Sequence, residues 1–383
     1  MFEMMLAGGK PPVPTGNIKK FDAGDAGIVA LSNSGNLYTI GDQYFSGTGA
    51  TTTAWRLLSA GVEDFWVGFR AILFKMVDGR WMFMGQNFMF PTALGAILTT
   101  PTDVSAYMTY TAGLTIKEVS IGYASIAVVF TNGQYAMCGR NGSGGLGQGN
   151  STTVRQLTMR TDFTNVKKIT FDWNAIDTSY MLLNTGAVYV AGNSDFGQAG
   201  VTSSAVLTWT LQAAVNTVID IVAGSNGWFR VVETASVYAL YIQGRQFDGS
   251  LATGATGGVN YSTPTAVAPN ITDKSKGPPN LQIGLYSARY LHPTGRVYYT
   301  GTSSGQLQGD GVISQAIKYS FAALGTQVLD GQYHAVRGSY KAAYLLINGT
   351  LYGTGQDTST GLLPGLGTTR VYTFVPLDTT AIS

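Results

Sequence analysis

The sequence predicts an all-β protein, a seven-bladed β-propeller with four antiparallel strands and about 54 residues per blade. Three observations carry that prediction. A fixed glycine spacing recurs along the chain. Turn-forming pairs sit between apolar runs of strand length. The composition is that of short strands joined by tight turns: of 383 residues, 45% are apolar, 11% are charged and 50 are glycine, against roughly 25% charged in an average soluble domain. Abundant Thr, Tyr and Val supply the β formers, and so much apolar content argues against disorder.

The spacing is glycine, ten residues, glycine, five residues, glycine. It occurs without gaps at Gly24, Gly35, Gly41; at Gly68, Gly79, Gly85; at Gly122, Gly133, Gly139; at Gly284, Gly295, Gly301; and at Gly338, Gly349, Gly355. Gly68 to Gly122 is 54 residues, Gly284 to Gly338 is 54, and Gly122 to Gly284 is 162, three times 54. Two looser copies therefore belong in the gap. One is Asn184-Thr185-Gly186 followed by Ala187 to Gly192, and the other runs from Val231 to Gly244. Seven copies at this period signal radial repetition.

Within a copy, the middle glycine follows a turn former: Ser34-Gly35, Asp78-Gly79, Asn132-Gly133, Thr294-Gly295, Asn348-Gly349. Such pairs predict type I′ hairpins, which need positive φ at both central residues. Flanking runs such as Ile126–Phe130 and Gln134–Cys138 are almost continuously apolar, as expected of strands covered on both faces. An alternating strand precedes them (Ile116–Ile121) and a looser one follows (Val371–Val375). Closure into a ring leaves no long edge exposed.

The loop after the third glycine reads Gly139-Arg140-Asn141-Gly142-Ser143-Gly144-Gly145-Leu146-Gly147, and a second copy reads Gly192-Asn193-Ser194-Asp195-Phe196-Gly197-Gln198-Ala199-Gly200. Gly305-Gln306-Leu307-Gln308-Gly309 is a third. This pattern resembles the regulator of chromosome condensation repeat family, which implies a seven-bladed propeller over residues 18–383. That family's functions include nucleotide exchange on small GTPases, chromatin contact and scaffolding, and none transfers by fold. The family's His two residues after the first glycine is replaced here by Ala26, Arg70, Ala124, Tyr286 and Tyr340.

The chemistry-bearing residues point away from catalysis. A net charge of +2 provides no basic field for nucleic acid. The two histidines and one cysteine make no metal or disulfide framework, and no cofactor is implied. Gly142 to Gly147 matches Gly-x-Gly-x-x-Gly, but no helix opens after it, so it reads as a turn. Acidic residues are scattered, whereas a glycosidase needs two carboxylates converging on a cleft. No segment is long enough to span a membrane.

One constellation is sharper. The residues after each first glycine lie in the loop between strands one and two, and those loops converge on one face around the central channel. They include Phe69, Arg70, Tyr123, Trp173, Trp228, Tyr286 and Tyr340, an aromatic-rich ring suited to protein hot spots or to stacking on sugars; packing between blades is the competing role. Residues 1–17 fall outside the repeat. Met1, Phe2, Met4, Met5 and Leu6 form an apolar plug on a stiff tether, Pro11-Pro12-Val13-Pro14. They read as an anchoring arm, or else as a terminus without structure or a closing strand.

These features lead first to a non-enzymatic recognition protein of a bacteriophage particle, a tail or head appendage. Its arm would dock on other virion proteins in an oligomeric assembly, and its propeller would face a cell-surface glycan or protein. The alternative is a cytoplasmic propeller regulating a GTPase or another protein. A third is a glycan-cleaving enzyme, which requires the carboxylate pair above.

Overall fold

The computed structural model describes residues 17–383 apart from 26, 174–176, 202, 213–216, 247–250, 257, 272–273, 275–277, 284–286, 292–296, 302–317, 324–332, 339–341, 348, 357–362 and 365–369. Among the described residues the strands form seven four-stranded antiparallel sheets, spanning 18–59, 62–103, 116–160, 166–211, 217–271, 280–323 and 333–376. We number these blades 1 to 7. Strands pair in sequence order within every blade, so each blade is one contiguous piece of chain. First strands of consecutive blades touch each other, and Ile18–Ala23 of blade 1 touches Tyr333–Gly338 of blade 7, which closes the ring. The chain is a seven-bladed propeller with its first strands at the centre.

Burial follows that geometry. The second strands Gly27–Ser32, Ser125–Phe130 and Thr178–Leu183 are buried at every position, because a blade is covered by a neighbour on each face. The outermost strand of blade 1, Thr52–Ser59, is mostly exposed or half-buried. The apolar clusters straddle blade boundaries: Val29, Leu31 and Phe45 of blade 1 pack with Phe65, Ile72 and Phe74 of blade 2. The first strands add polar ties across the centre. Lys20 pairs with Asp64 at 2.7 Å and Lys168 with Asp220 at 2.9 Å, each lysine standing next to a register shift that re-aims the strand.

In blade 7 Ile347 pairs with Thr350 across a two-residue loop, as expected, but the hairpins of blades 1 to 4 differ from the expected type I′. In blades 1 to 4 the loops have three residues, closed by the Gly35, Gly79, Gly133 and Gly186 amides donating to the carbonyls of Ser32, Met76, Phe130 and Leu183. Only the glycine has positive φ (83, 91, 84 and 85°), while Ser34, Asp78, Asn132 and Thr185 do not. This is a type I turn followed by a glycine bulge. The extra residue lets an ordinary L-residue precede the glycine.

The third glycine has a different task. It has positive φ in all seven blades, at Gly41, Gly85, Gly139, Gly192, Gly244, Gly301 and Gly355. A Cβ on Gly139 would lie 2.3 Å from the Ala124 carbonyl oxygen and 2.5 Å from Ser125 Cα. The third strand thus presses against the loop between strands one and two of its own blade. The loop that follows is tied by its own motif. The Asn141 side chain accepts the Leu146 amide, and the Ser194 hydroxyl accepts the Ala199 amide in the same position.

Among the described residues the ring is sealed without strand exchange. The last strand, Arg370–Pro376, completes its own blade. The tail beyond it crosses onto blade 1, where Ile382 joins Ile18, Phe21 and Tyr38 in one cluster with Tyr344 and Leu346 of blade 7. Asn17 Nδ2 donates to the Ile382 carbonyl, Trp55 Nε1 to that of Asp378, and Ser34 Oγ to that of Ser383.

Candidate functional site

Strands alternate in direction, so the loops between strands one and two and those between strands three and four emerge at the same end of the ring. Third-strand glycines pull the two sets together. On blades 1 to 3 this face carries a continuous ladder of rings and guanidiniums. The Arg70 guanidinium lies 5.2 Å from the Tyr44 ring and 5.2 Å from the Phe69 ring. Phe69 lies 5.6 Å from Tyr123, which stacks on Phe88 at 5.1 Å and 25°. Arg140 completes the ladder, 5.8 Å from both Phe88 and Tyr123. All six are half-buried, and these centroid distances lie within the range of ring-stacking and cation–π attraction.

Both arginines are held from below. Arg70 Nε and Nη2 each donate to Asp25 Oδ2 at 2.8 Å, and the Asp25 amide donates to the Phe69 carbonyl at 2.7 Å. Arg140 Nε donates to Asp177 Oδ1 and Oδ2 at 3.0 and 2.8 Å. Each pair crosses from one blade to the next, so the ladder is set by ring assembly rather than by one loop. Arg155 donates to the Phe88 carbonyl and fixes the loop bearing that ring.

Burial raises the carboxyl pKa of Asp177, against the hydrogen bond and charge of Arg140, which lower it. Burial likewise raises Asp42, opposed by the Tyr44 amide and the Arg70 charge. Burial and attraction compete at both sites, and burial wins.

Of the residues singled out in the sequence, Phe69, Arg70 and Tyr123 come together in the ladder. Trp173 is half-buried on the same loop level, its amide donating to the Gly224 carbonyl. Trp228 is a correction. It lies within the strand Gly227–Glu233 with 0% exposure, packed on Tyr180 at 4.9 Å and under Arg230 at 4.4 Å. Blade 5 starts its second strand three residues after Gly224, as blades 1 to 3 do after Gly24, Gly68 and Gly122, so Trp228 takes the place of the buried Ile28, Ile72 and Ile126 and its indole packs at the boundary with blade 4. Tyr286 and Tyr340, and the anchor residues Met1, Phe2, Met4, Met5 and Leu6, lie outside the described residues, as does His292.

Tyr44, Phe88, Arg140 and Asp177 are contributors that sequence reasoning missed. Tyr44 and Phe88 both stand three residues after a third glycine, and Arg140 directly follows one. That shared offset was the available signal. Gly142 to Gly147 is a turn, as read from the sequence: Gly144 and Gly147 have positive φ, and their amides close turns onto Asn141 and Gly144.

A shallow pocket between blades 3 and 4 is lined by Tyr123, Ser125, Asp172, Asp177 and Ser179. Asp177 has both oxygens on Arg140, and Asp172 accepts the Asn226 amide from blade 5. These carboxylates hold blades together. Among the described residues no group of His, Cys, Asp and Glu is placed to hold a metal ion.

No protein-family model and no curated protein matches the sequence. Solved structures do match the fold. Human WBSCR16 superposes with a TM-score of 0.67 at 17% identity, covering 85% of each chain. Yeast RCC1 (Prp20), in its complex with Kap60, gives 0.64 at 15% identity over 84% of this chain and 78% of that one. Prp20p from Saccharomyces cerevisiae, described with its binding properties to Gsp1p and histones, gives 0.65 at 15% over 84% and 80%. The chain therefore has an RCC1-like propeller fold, and at these identities the likeness concerns fold alone.

Proposed function

We propose that this chain is a non-catalytic recognition propeller that binds a protein partner through the loop face of blades 1 to 4. The observation that carries this reading is the ladder from Tyr44 to Arg140. Tyr and Arg are enriched among the residues that dominate protein interfaces, and such residues act best when clustered and pre-set. Here the rings support one another and both arginines are fixed by carboxylates of the adjacent blade, so little side-chain entropy remains to be lost on binding. Prp20 is described as bound to Kap60 and as binding Gsp1p and histones, so a protein built on this fold has protein partners. This favours the protein-interaction reading. Docking in a virion would run through residues 1–17, and the loop-face reading stands without that arm.

The test places a photo-crosslinking benzoylphenylalanine at Tyr123, or at Thr131 in an exposed hairpin at the opposite end of the ring, in extract of the native source. A defined protein adduct from position 123 and none from 131 is expected. Equal labelling from both positions, or none from 123, would sink the proposal.

A further inference from the structure

The charge around the ladder specifies the chemistry of its partner. The loops of blades 1 to 4 on this face carry Asp25, Asp42, Asp172, Asp177 and Asp195, against Arg70 and Arg140. Arg155, turned under the Phe88 loop, leaves that excess negative, although the whole chain carries +2. No lysine lies in these loops. Both ladder arginines spend their charge on carboxylates already present, Asp25 and Asp177. They therefore offer little attraction to an incoming anion, and Asp42 stands beside Arg70 as a further negative neighbour.

The rings themselves show what they accept. Phe69, Tyr123 and Phe88 each have a guanidinium within 5.2 to 5.8 Å of the centroid. The negative face of an aromatic ring attracts a cation, more strongly where water is partly excluded. Half-buried rings in a net negative surround are such places. We infer that the partner brings an arginine or lysine side chain onto the Phe69–Tyr123–Phe88 rings, within the field of the surrounding carboxylates. This rests on the loop-face reading and adds the sign and type of the group that face recognises. An arginine suits it best, because its planar guanidinium stacks on rings and binds carboxylates in the same pose.

The test uses the full chain and fluorescein-labelled hexa-arginine and hexa-glutamate peptides, with binding followed by fluorescence anisotropy. The variants are Tyr123→Leu and Phe88→Leu, which keep apolar bulk but remove the π face, and Asp42→Asn, which removes one charge. Circular dichroism confirms that each variant is folded. Saturable binding of hexa-arginine is expected, weakened about tenfold by Tyr123→Leu, the factor to which 1.4 kcal/mol corresponds. Asp42→Asn should weaken it several-fold, and added salt should weaken it further. Hexa-glutamate should not bind. The inference is overturned by equal binding of the two peptides, by no binding of hexa-arginine, or by unchanged affinity in both ring variants. If these arms fail while the adduct at position 123 persists, the partner is a protein of other chemistry and only the inference is lost.

Discussion

Two glycines with similar backbone strain but different surroundings separate the two roles that glycine has in this fold. Gly79 has φ of 91° and nothing within 4 Å of the place its Cβ would occupy. Gly79→Ala therefore brings only the cost of a left-handed L-residue, roughly 1–2 kcal/mol. Gly139 has φ of 135°, and its Cβ would meet the Ala124 carbonyl oxygen at 2.3 Å and Ser125 Cα at 2.5 Å. Its backbone region is close to glycine-only, at roughly 1–3 kcal/mol. The collision is with backbone, which cannot swing aside, and overpacking of this kind adds about 1–3 kcal/mol. Gly139→Ala should therefore cost about 2–6 kcal/mol, about 2 more than Gly79→Ala. Urea unfolding followed by tryptophan fluorescence reads the difference as a lower midpoint at unchanged slope. If the two variants fall within about 0.5 kcal/mol of each other, a margin near the ±10–15% error of such extrapolations, the close approach of the third strand to the loop face is not what the third glycine serves.

Three further outcomes follow from the same geometry. Glu118 sits at the centre of the ring, where burial raises its carboxyl pKa, Asp220 adds to the rise, and Lys168 and Lys117 oppose it. The folded state then holds the proton more tightly than the unfolded chain, so stability falls as pH rises through the folded value. Glu118→Gln should be more stable than the parent at pH 7 and equal to it at acid pH below the usual glutamate range; no gain at neutrality in thermal melts would contradict this. Ile382→Ala should cost about 2 kcal/mol, the low end for a buried isoleucine because its exposed neighbours Ala381 and Ser383 let the site collapse; chemical denaturation that shows no loss would remove the tail from ring closure. Cys138 is fully buried, and its thiol is pushed up to about 12 by burial. A thiol reagent should label it only when blade 3 opens, and labelling of the native chain at the rate of a free thiol would refute that placement.

The blade count, the order of strands within a blade and the face bearing the loops were legible in the sequence. Each is written in short-range patterns: the glycine spacing, the turn formers and the doubly apolar middle strands. The hairpin type was misread because Asn132-Gly133 suits both a two-residue and a three-residue loop. Only the pairing of Phe130 with Gln134 across the turn decides between them. Trp228 was misplaced for a similar reason. It stands four residues after Gly224, one residue inside the second strand, and one residue of offset moves a side chain from the face to the core.

What the sequence by itself determined is the repeating unit, because a strand's burial and a turn's backbone depend on neighbours a few residues away. What only the tertiary structure decided is the content of the face. Arg70 meets Asp25 across 45 residues of chain and Arg140 meets Asp177 across 37, and Phe88 stacks on Tyr123 from a different blade. The Ile382 seal spans nearly the whole chain to reach Asn17. These contacts exist because closing the ring brings the loops of successive blades side by side, and no local pattern records which residues will then touch.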